Sequence, residues 1–445
     1  MYRNLVGLLF LFIRLSSTGS LFKLIFTMPA YDVVIVGASF AGLTLARHLP
    51  STLRVLIVDA KPEAGSSVES TGLITERTRE AFRSFLEIDR FITNPITSIC
   101  VVAPNFDDYF VSTTKTREPW IYQTDTKALV KHMADTLPAN VTLRMATAFM
   151  GAEGDPIRTV KILNQGKVEE IETRFLVGAD GAMSKVASSV SGLDKNTCFL
   201  FGYEQVFFGD VLLGPDPAQT IYHFWFGEFS LGYGGWLSPT VVDGRKAFRI
   251  GLAKLMADRG EAKELMEKFL RILLDRKIVT VDGSIDAPGY VFGSLIPIGG
   301  TLKKIYKNNV LLLGNSAGFC GAFAADGIKG AIIAGKEAAK LIPRFLEGDQ
   351  KALQQLLPAI NKHDDLLGYY RKQVRYRMIW DMMKRDRTFT AMYRVIEAER
   401  DTFLDQFCDS KDKRQSLAWT VLKWKHVPKL VWYAGCLVRD LFVGR

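Results

Sequence analysis

The chain has 445 residues, 48% hydrophobic and 23% charged, proportions that suit two or three globular domains with sizeable cores and exclude a chain disordered by composition. Its formal charge of +10 sits mostly at the ends: Arg3, Arg14 and Lys23 have no acid beside them in residues 1–27, and eight basic residues stand against Asp412 and Asp440 between Lys411 and Arg445. The middle is nearly neutral, which excludes a nucleic-acid-binding body built on a basic face.

In chain order, the first apolar run is "NLVGLLFLFIR", too short for a membrane span of about 20 residues. Three readings of residues 1–27 stay open: a loosely anchoring extension, a signal sequence, or translation that begins at Met28. The run "YDVVIVGASFAGLTLARHL" then places β-branched Val33 to Val36 before Gly37, Ser39, Phe40, Ala41 and Gly42, followed by a helical pattern that Pro50 ends. "RVLIVDAK" follows as a second buried strand ending at Asp59, Ala60 and Lys61. The spacing predicts a strand–helix–strand unit that binds a dinucleotide. Gly37 permits the tight turn, position 39 brings backbone to a pyrophosphate, Gly42 lets helix and strand pack, and Asp59 accepts from a ribose. Ser39 departs from the all-glycine pattern and is tolerated only where its φ is negative.

"QTDTKALVKHMADTL" predicts a helix capped by Thr124 or Asp125. "RFLVGADGAMSKV" repeats the motif of a strand running into a glycine turn, with Asp180 and Gly181 at the turn; Asp180 either faces a ligand or caps the helix that follows. "VLLLGNSAGFCGAFAADGIKGAI" is the third such passage, with Gly314, Asn315, Ala317, Gly318, Gly327 and Ile328 leading into a helix whose N-terminus suits an anion. Short strands rich in Val, Phe and Tyr occupy "ITSICVVAPN", "DYFVSTTK" and residues 197–300 and predict an antiparallel sheet. Beyond Pro358, Leu366, Leu367, Tyr370, Val374 and Met378 recur at helical spacing. Near the end, Trp419, Trp424 and Trp432 interleave with Lys423, Lys425 and Lys429, a mixture that suits either a membrane interface or a terminal amphipathic helix packed on its own domain. Five dispersed cysteines without a CxxC pair, and five histidines without ligand spacing, point to a reducing, cytoplasmic compartment and to no metal site.

In this order the three glycine passages resemble the FAD fingerprints of the p-hydroxybenzoate hydroxylase-like flavoproteins. Within that superfamily, "LGYGGWLSPT" and "GSLIPIGGTLKKIYKNNVLLLGN" are similar to segments of the geranylgeranyl reductase family. The resemblance implies an α/β fold: a discontinuous Rossmann-like FAD-binding domain over residues 28–73, 120–190 and 305–346, and an antiparallel sheet domain for substrate over 74–119 and 191–304. A C-terminal helical region over 347–445 follows. It further implies FAD at the residues named above with Lys127 as a basic neighbour, and substrate contact at Ser70, Thr71, Tyr233 and Trp236. No cysteine stands in "SSVESTGLITERT", where archaeal members of the family carry one. With no second dinucleotide fingerprint, reducing equivalents come from an external donor such as NAD(P)H or ferredoxin. The implied reaction is reduction of carbon–carbon double bonds in an isoprenoid or other long apolar substrate. A flavin monooxygenase acting through oxygen at flavin C4a, and a flavin- or lipid-binding protein without turnover, are the alternatives. Halogenation is disfavoured by the lack of a WxWxIP pattern.

Overall fold

The computed structural model describes residues 30–66, 70–230, 233–242, 244–256, 261–407 and 422–442; the apolar extension of residues 1–27, Trp419 and the side chain of Tyr233 lie outside the described residues. The chain opens on β1 (Ala30–Val36), turns through Gly37 into α1 (Phe40–His48) and returns as β2 (Val55–Val58). Next come β3 (Leu73–Thr75), α2 (Glu76–Arg83), β4 (Ile92–Ile96), β5 (Ser98–Val102), β6 (Tyr109–Thr113) and β7 (Ile121–Thr124). α3 (Thr126–Asp135) begins where the Asp125 carboxylate accepts the Ala128 N–H, so Asp125 is the cap. β8 (Val141–Arg144), β9 (Thr147–Gly154), β10 (Ile157–Asn164) and β11 (Lys167–Gly178) lead to the short α4 (Lys185–Ser189). β12 (Phe199–Phe208), β13 (Thr220–Phe224), β14 (Tyr233–Val242), β15 (Arg245–Leu255), α5 (Ala262–Asp275) and β16 (Tyr290–Pro297) follow. After β17 (Tyr306–Lys307) and β18 (Val310–Leu312) come α6 (Ile328–Leu346), α7 (Leu356–Asn361), α8 (Leu366–Trp380), α9 (Asp386–Glu397), α10 (Arg400–Phe407) and α11 (Val427–Leu441).

Five strands lie parallel in the order β18-β11-β1-β2-β8, with β17 antiparallel at one edge and β10 and β9 continuing antiparallel from β11. Val33 to Ile35, Val55 to Val58 and Leu311 to Leu312 have no exposed surface, as expected of parallel strands covered on both faces. α1 crosses α6 where Gly335 leaves only 3.0 Å for a Cβ against the Ala41 carbonyl oxygen. β1 is flanked by β2 on one side and β11 on the other, so strand order reverses at its C-terminal end, the position at which open α/β sheets bind ligands.

The second sheet has the order β16-β12-β15-β14-β13-β5-β6 and is antiparallel except where β13 meets β5. Side chains alternate along its strands. Tyr222, Phe224, Leu237, Phe248, Ile250 and Leu252 pack on Met266, Phe269 and Leu273 of α5, and the opposite face looks toward the first sheet. β3, β7 and β4 make a small sheet that joins strands from either side of the second sheet's first hairpin.

In α8 the buried stripe is Leu366, Tyr370, Gln373, Arg377 and Trp380. The apolar spacing through Val374 to Met378 therefore misreads the inner face, because Met378 is 65% exposed while two polar side chains take the inward positions. α11 is fastened at both ends. The buried Glu399 carboxylate accepts from Lys423 Nζ and His426 Nε2, each at 2.7 Å, and pairs with Lys425; the buried Asp440 accepts the N–H groups of Lys384 and Arg385 ahead of α9. Burial alone raises the Glu399 pKa, but the hydrogen bonds from Lys423, Lys425 and His426 outweigh it and hold the carboxyl at about 2, against 4.5 for a free glutamate. This attachment is therefore complete above pH 4.5 and is lost as pH falls toward 2. Glu399→Gln should destabilise the docking of α11 by about 1–3 kcal/mol. Amide hydrogen exchange should show faster exchange across residues 424–441 in the variant at neutral pH, and in the wild type as the pH is lowered through that window.

Candidate functional site

A cavity of about 740 Å³, well within the range of ligand pockets, runs from the ends of the parallel strands to the inner face of the antiparallel sheet. Its first wall is the turn after β1. Gly37 has φ +111, and a Cβ there would stand 2.2 Å from the Ala179 carbonyl oxygen, so only glycine permits the two turns to touch. Ser39 adopts an extended φ of −125, which removes the steric objection to a side chain at that position. No side chain caps α1 and no acid stands in its first turn, so its leading N–H groups and positive dipole end remain for an anion in the cavity. The Asp59 carboxylate accepts the Ala38 N–H at 2.7 Å and the Lys61 N–H at 2.9 Å, tying this turn to the end of β2. Each oxygen retains capacity for one more bond.

The other two turns lock onto the first. Asp180 accepts from Ser184 Oγ at 2.6 Å, from the Val186 N–H at 3.0 Å and from Ser316 Oγ at 3.1 Å; it caps α4 and joins the second turn to the third. Gly314, at φ +61, and Asn315 line the cavity, as do Gly327 and Ile328. The Asn315 carbonyl accepts from Asn196 Nδ2 at 2.8 Å, which leaves its side-chain amide to the cavity side, within 2.9 Å of where a Gly327 Cβ would be.

Phe40, Ala41, Ala60, Lys61, Ser70, Thr71, Gly181 and Trp236 also reach the wall. Four expected site residues do not. Gly42 sits behind the turn, where a Cβ would be 2.1 Å from the Gly37 carbonyl oxygen, so it serves helix–strand packing. Gly318 backs onto Gly300, and the Ala317 carbonyl accepts the Leu302 N–H, so this pair braces a neighbouring loop instead of facing the cavity. Lys127 is exposed on α3, beyond the wall. For Tyr233 only the backbone is described, paired with Ala253.

Residues that sequence reasoning passed over complete the site. Gln373 Oε1 accepts the N–H groups of Phe323 and Ala324, and its Nε2 donates to Asp326, holding the loop between the third turn and α6. Cys320 lines the wall as a thiol whose pKa burial pushes up, so it is protonated. On the antiparallel sheet, register aligns His223, Trp236, Gly251, Glu204 and Phe292 in one row across β13, β14, β15, β12 and β16. The Trp236 indole lies over Gly251, where a Cβ would be 2.0 Å from the ring, and donates from Nε1 to Glu204 at 2.9 Å. Arg249 Nη1 contacts the same carboxylate at 3.4 Å and the Thr71 carbonyl at 3.3 Å. Burial raises the Glu204 pKa, opposed by the Arg249 charge and the two hydrogen bonds. Phe226 and Phe323 form an aromatic wall backed by Trp380, whose ring centroid lies 4.1 Å from that of Phe226.

Residues 30–215 match the FAD-binding domain family. A digeranylgeranylglycerophospholipid reductase of Methanosarcina mazei is 26% identical over 320 residues, covering 69% of this chain and 74% of the relative. Another, from Methanothermobacter thermautotrophicus, is 25% identical over 410 residues, or 90% of this chain and 96% of the relative. Among solved structures, a geranylgeranyl bacteriochlorophyll reductase-like protein from Thermoplasma acidophilum superposes with a TM-score of 0.72 over 93% of this chain and 99% of its own, at 15% identity. The fold and the three joined glycine turns thus define a flavoprotein of the FAD-dependent hydroxylase-like fold, with FAD as its cofactor. More particularly, the chain is similar over most of its length, at about a quarter identity, to digeranylgeranylglycerophospholipid reductases, its distant homologues, and belongs with FAD-dependent oxidoreductases.

An aspartate at 315 would offer a charged acceptor where Asn315 offers a neutral one, a gain of roughly 1 kcal/mol for each ligand hydroxyl it meets. Asn315→Asp is therefore expected to leave FAD affinity unchanged or to tighten it up to about fivefold, measured by flavin fluorescence on titration. A large loss of flavin would overturn the assignment of this passage as the third FAD motif.

Proposed function

We propose that the protein reduces carbon–carbon double bonds of an isoprenoid or other long apolar substrate at its bound FAD, using electrons from an external donor such as NAD(P)H or ferredoxin. The observation that carries this reading is the single cavity, with glycine turns and helix N-terminus at one end and an apolar, aromatic sheet face at the other. Gly37, Ser39, Phe40 and Ala41 would hold the pyrophosphate at the start of α1, and Asp59, Ala60 and Lys61 the adenosine side. Gly181, Gly314, Asn315, Gly327 and Ile328 would surround the ribityl chain and the ring edge. Ser70, Thr71 and Trp236 would meet the substrate. The flavin, when bound, supplies hydride to carbon. Ile221, Phe226, Trp236, Phe292, Ile296 and Phe323 exclude water and orient an apolar chain. Arg249 links the Thr71 segment to the Glu204–Trp236 pair, which holds the two proposed substrate-facing segments in place relative to each other.

With photoreduced protein under anaerobic conditions, a C20 prenyl lipid is expected to reoxidise the flavin and to gain two hydrogens per reduced bond by mass spectrometry. Incorporation of an atom from oxygen gas into the product under aerobic turnover would replace this reading with a monooxygenase.

The same reading brings the protein to a membrane surface through α11. Its inner face buries Tyr433 and Cys436, while Trp424 is 87% exposed and Phe442 86%, with Val431, Trp432, Val438 and Leu441 on the outer side. Lys425 and Arg439 are exposed alongside, and Lys429 is half-buried. Among the described residues no helix is long and apolar enough to cross a membrane, so the contact would lie in the interface plane. Replacing both Trp424 and Phe442 by Ala should reduce partitioning onto anionic liposomes at least tenfold in a sedimentation assay, given roughly 1.5–3 kcal/mol for each large apolar side chain buried. Unchanged partitioning would exclude this face.

A further inference from the structure

The substrate face of the antiparallel sheet carries more polarity than a hydrocarbon chain requires. His223 lines the cavity on β13 between Trp225 and Phe226, its ring centroid 6.2 Å and 5.0 Å from theirs, and no hydrogen bond from the described residues reaches either ring nitrogen. Nδ1 is sealed within the protein without a partner, leaving Nε2 as the nitrogen open to the cavity. Burial lowers the His223 pKa to about 4, so the ring is neutral at physiological pH and offers one donor and one acceptor. The other polar groups of its cross-strand row are committed: Trp236 Nε1 to Glu204, and both Glu204 oxygens to Trp236 and Arg249. The lysines on the cavity wall, Lys61, Lys185, Lys329 and Lys372, belong to other elements, and Arg249, the cation nearest this row, is already paired.

We propose that the substrate's apolar chain bears an uncharged hydrogen-bonding group, a hydroxyl or a carbonyl, and that His223 receives it through Nε2. A phosphate on this row would face the buried Glu204 carboxylate, whose own cation, Arg249, is already engaged by it, so an uncharged group suits this position better. A bare hydrocarbon would leave Nε2 as well as Nδ1 without a partner in an aromatic surround, whereas a hydroxyl or carbonyl satisfies Nε2. The inference rests on the reading of the cavity as shared by FAD and a long apolar substrate, and it deepens that reading by naming the polar group.

The test uses the full-length, FAD-loaded protein and three probes: a C20 prenyl alcohol, the matching hydrocarbon and the matching diphosphate. Perturbation of the flavin absorption spectrum reports binding of each. The alcohol should bind about tenfold more tightly than the hydrocarbon, the difference a satisfied buried hydrogen bond makes. His223→Phe should bring the alcohol down to the hydrocarbon's affinity while leaving the hydrocarbon and the flavin content unchanged; His223→Gln, which keeps a donor and an acceptor, should retain most of the preference. Should the phenylalanine variant fail to hold flavin, the wild-type ratio and the glutamine variant decide. Equal affinities for alcohol and hydrocarbon in the wild type, a preference that survives His223→Phe, or tightest binding by a diphosphate that depends on His223 would each overturn the assignment. Failure of all three probes to bind a flavin-loaded protein would instead overturn the isoprenoid reading itself.

Discussion

The contact between the first two glycine turns is the constraint on which the rest of this structure depends. The backbone at Gly37 comes so near Ala179 that a single methyl group would occupy the place of its carbonyl oxygen. Because the turns touch, β1 and β11 end level with one another, and the third turn is tied to the second where Ser316 Oγ meets Asp180 and the Gly181 carbonyl. The leading N–H groups of α1 consequently open into a cavity whose other wall is a sheet formed by residues far away in sequence. The end of the cavity at the glycine turns is thus built from backbone, and the end at the antiparallel sheet from side chains.

That division explains what the sequence made legible. A β-branched run that breaks into glycine records a backbone requirement locally, and it occurs three times in the order that flavoproteins use. The fold class and the FAD cofactor could be read from it, and the antiparallel sheet from the short Val-, Phe- and Tyr-rich strands between the glycine passages. The sheet face of the cavity is a different kind of object. His223, Trp236, Gly251 and Glu204 are neighbours only because four strands take a particular register, and nothing within any one strand announces the row. Gly251 was the available signal, since a glycine inside a strand marks the close approach of another group.

The misplacements have physical reasons of the same kind. Gln373 and Arg377 fall outside the apolar spacing because they are polar, yet Gln373 faces inward to satisfy backbone N–H groups of the Phe323–Ala324 loop that no regular element pairs. Ala317 and Gly318 share a glycine-rich passage with true wall residues but spend their freedom on the loop at Gly300. Lys127 was carried over by resemblance and stands exposed on α3, off the cavity wall. Small residues report that something comes close; they do not say whether it is a ligand or the protein's own chain.

The two carboxylates at the ends of α11 have a consequence for whatever meets its outer face. Helices that fold only on contact lose part of their binding free energy to ordering their own backbone. Here Glu399 and Asp440 have already fixed the helix against α9 and α10, so its exposed tryptophan, phenylalanine and valine side chains are presented as a finished surface. Association at that face is then a rigid-body event, governed by how fast two surfaces meet and separate and not by the time a helix takes to form.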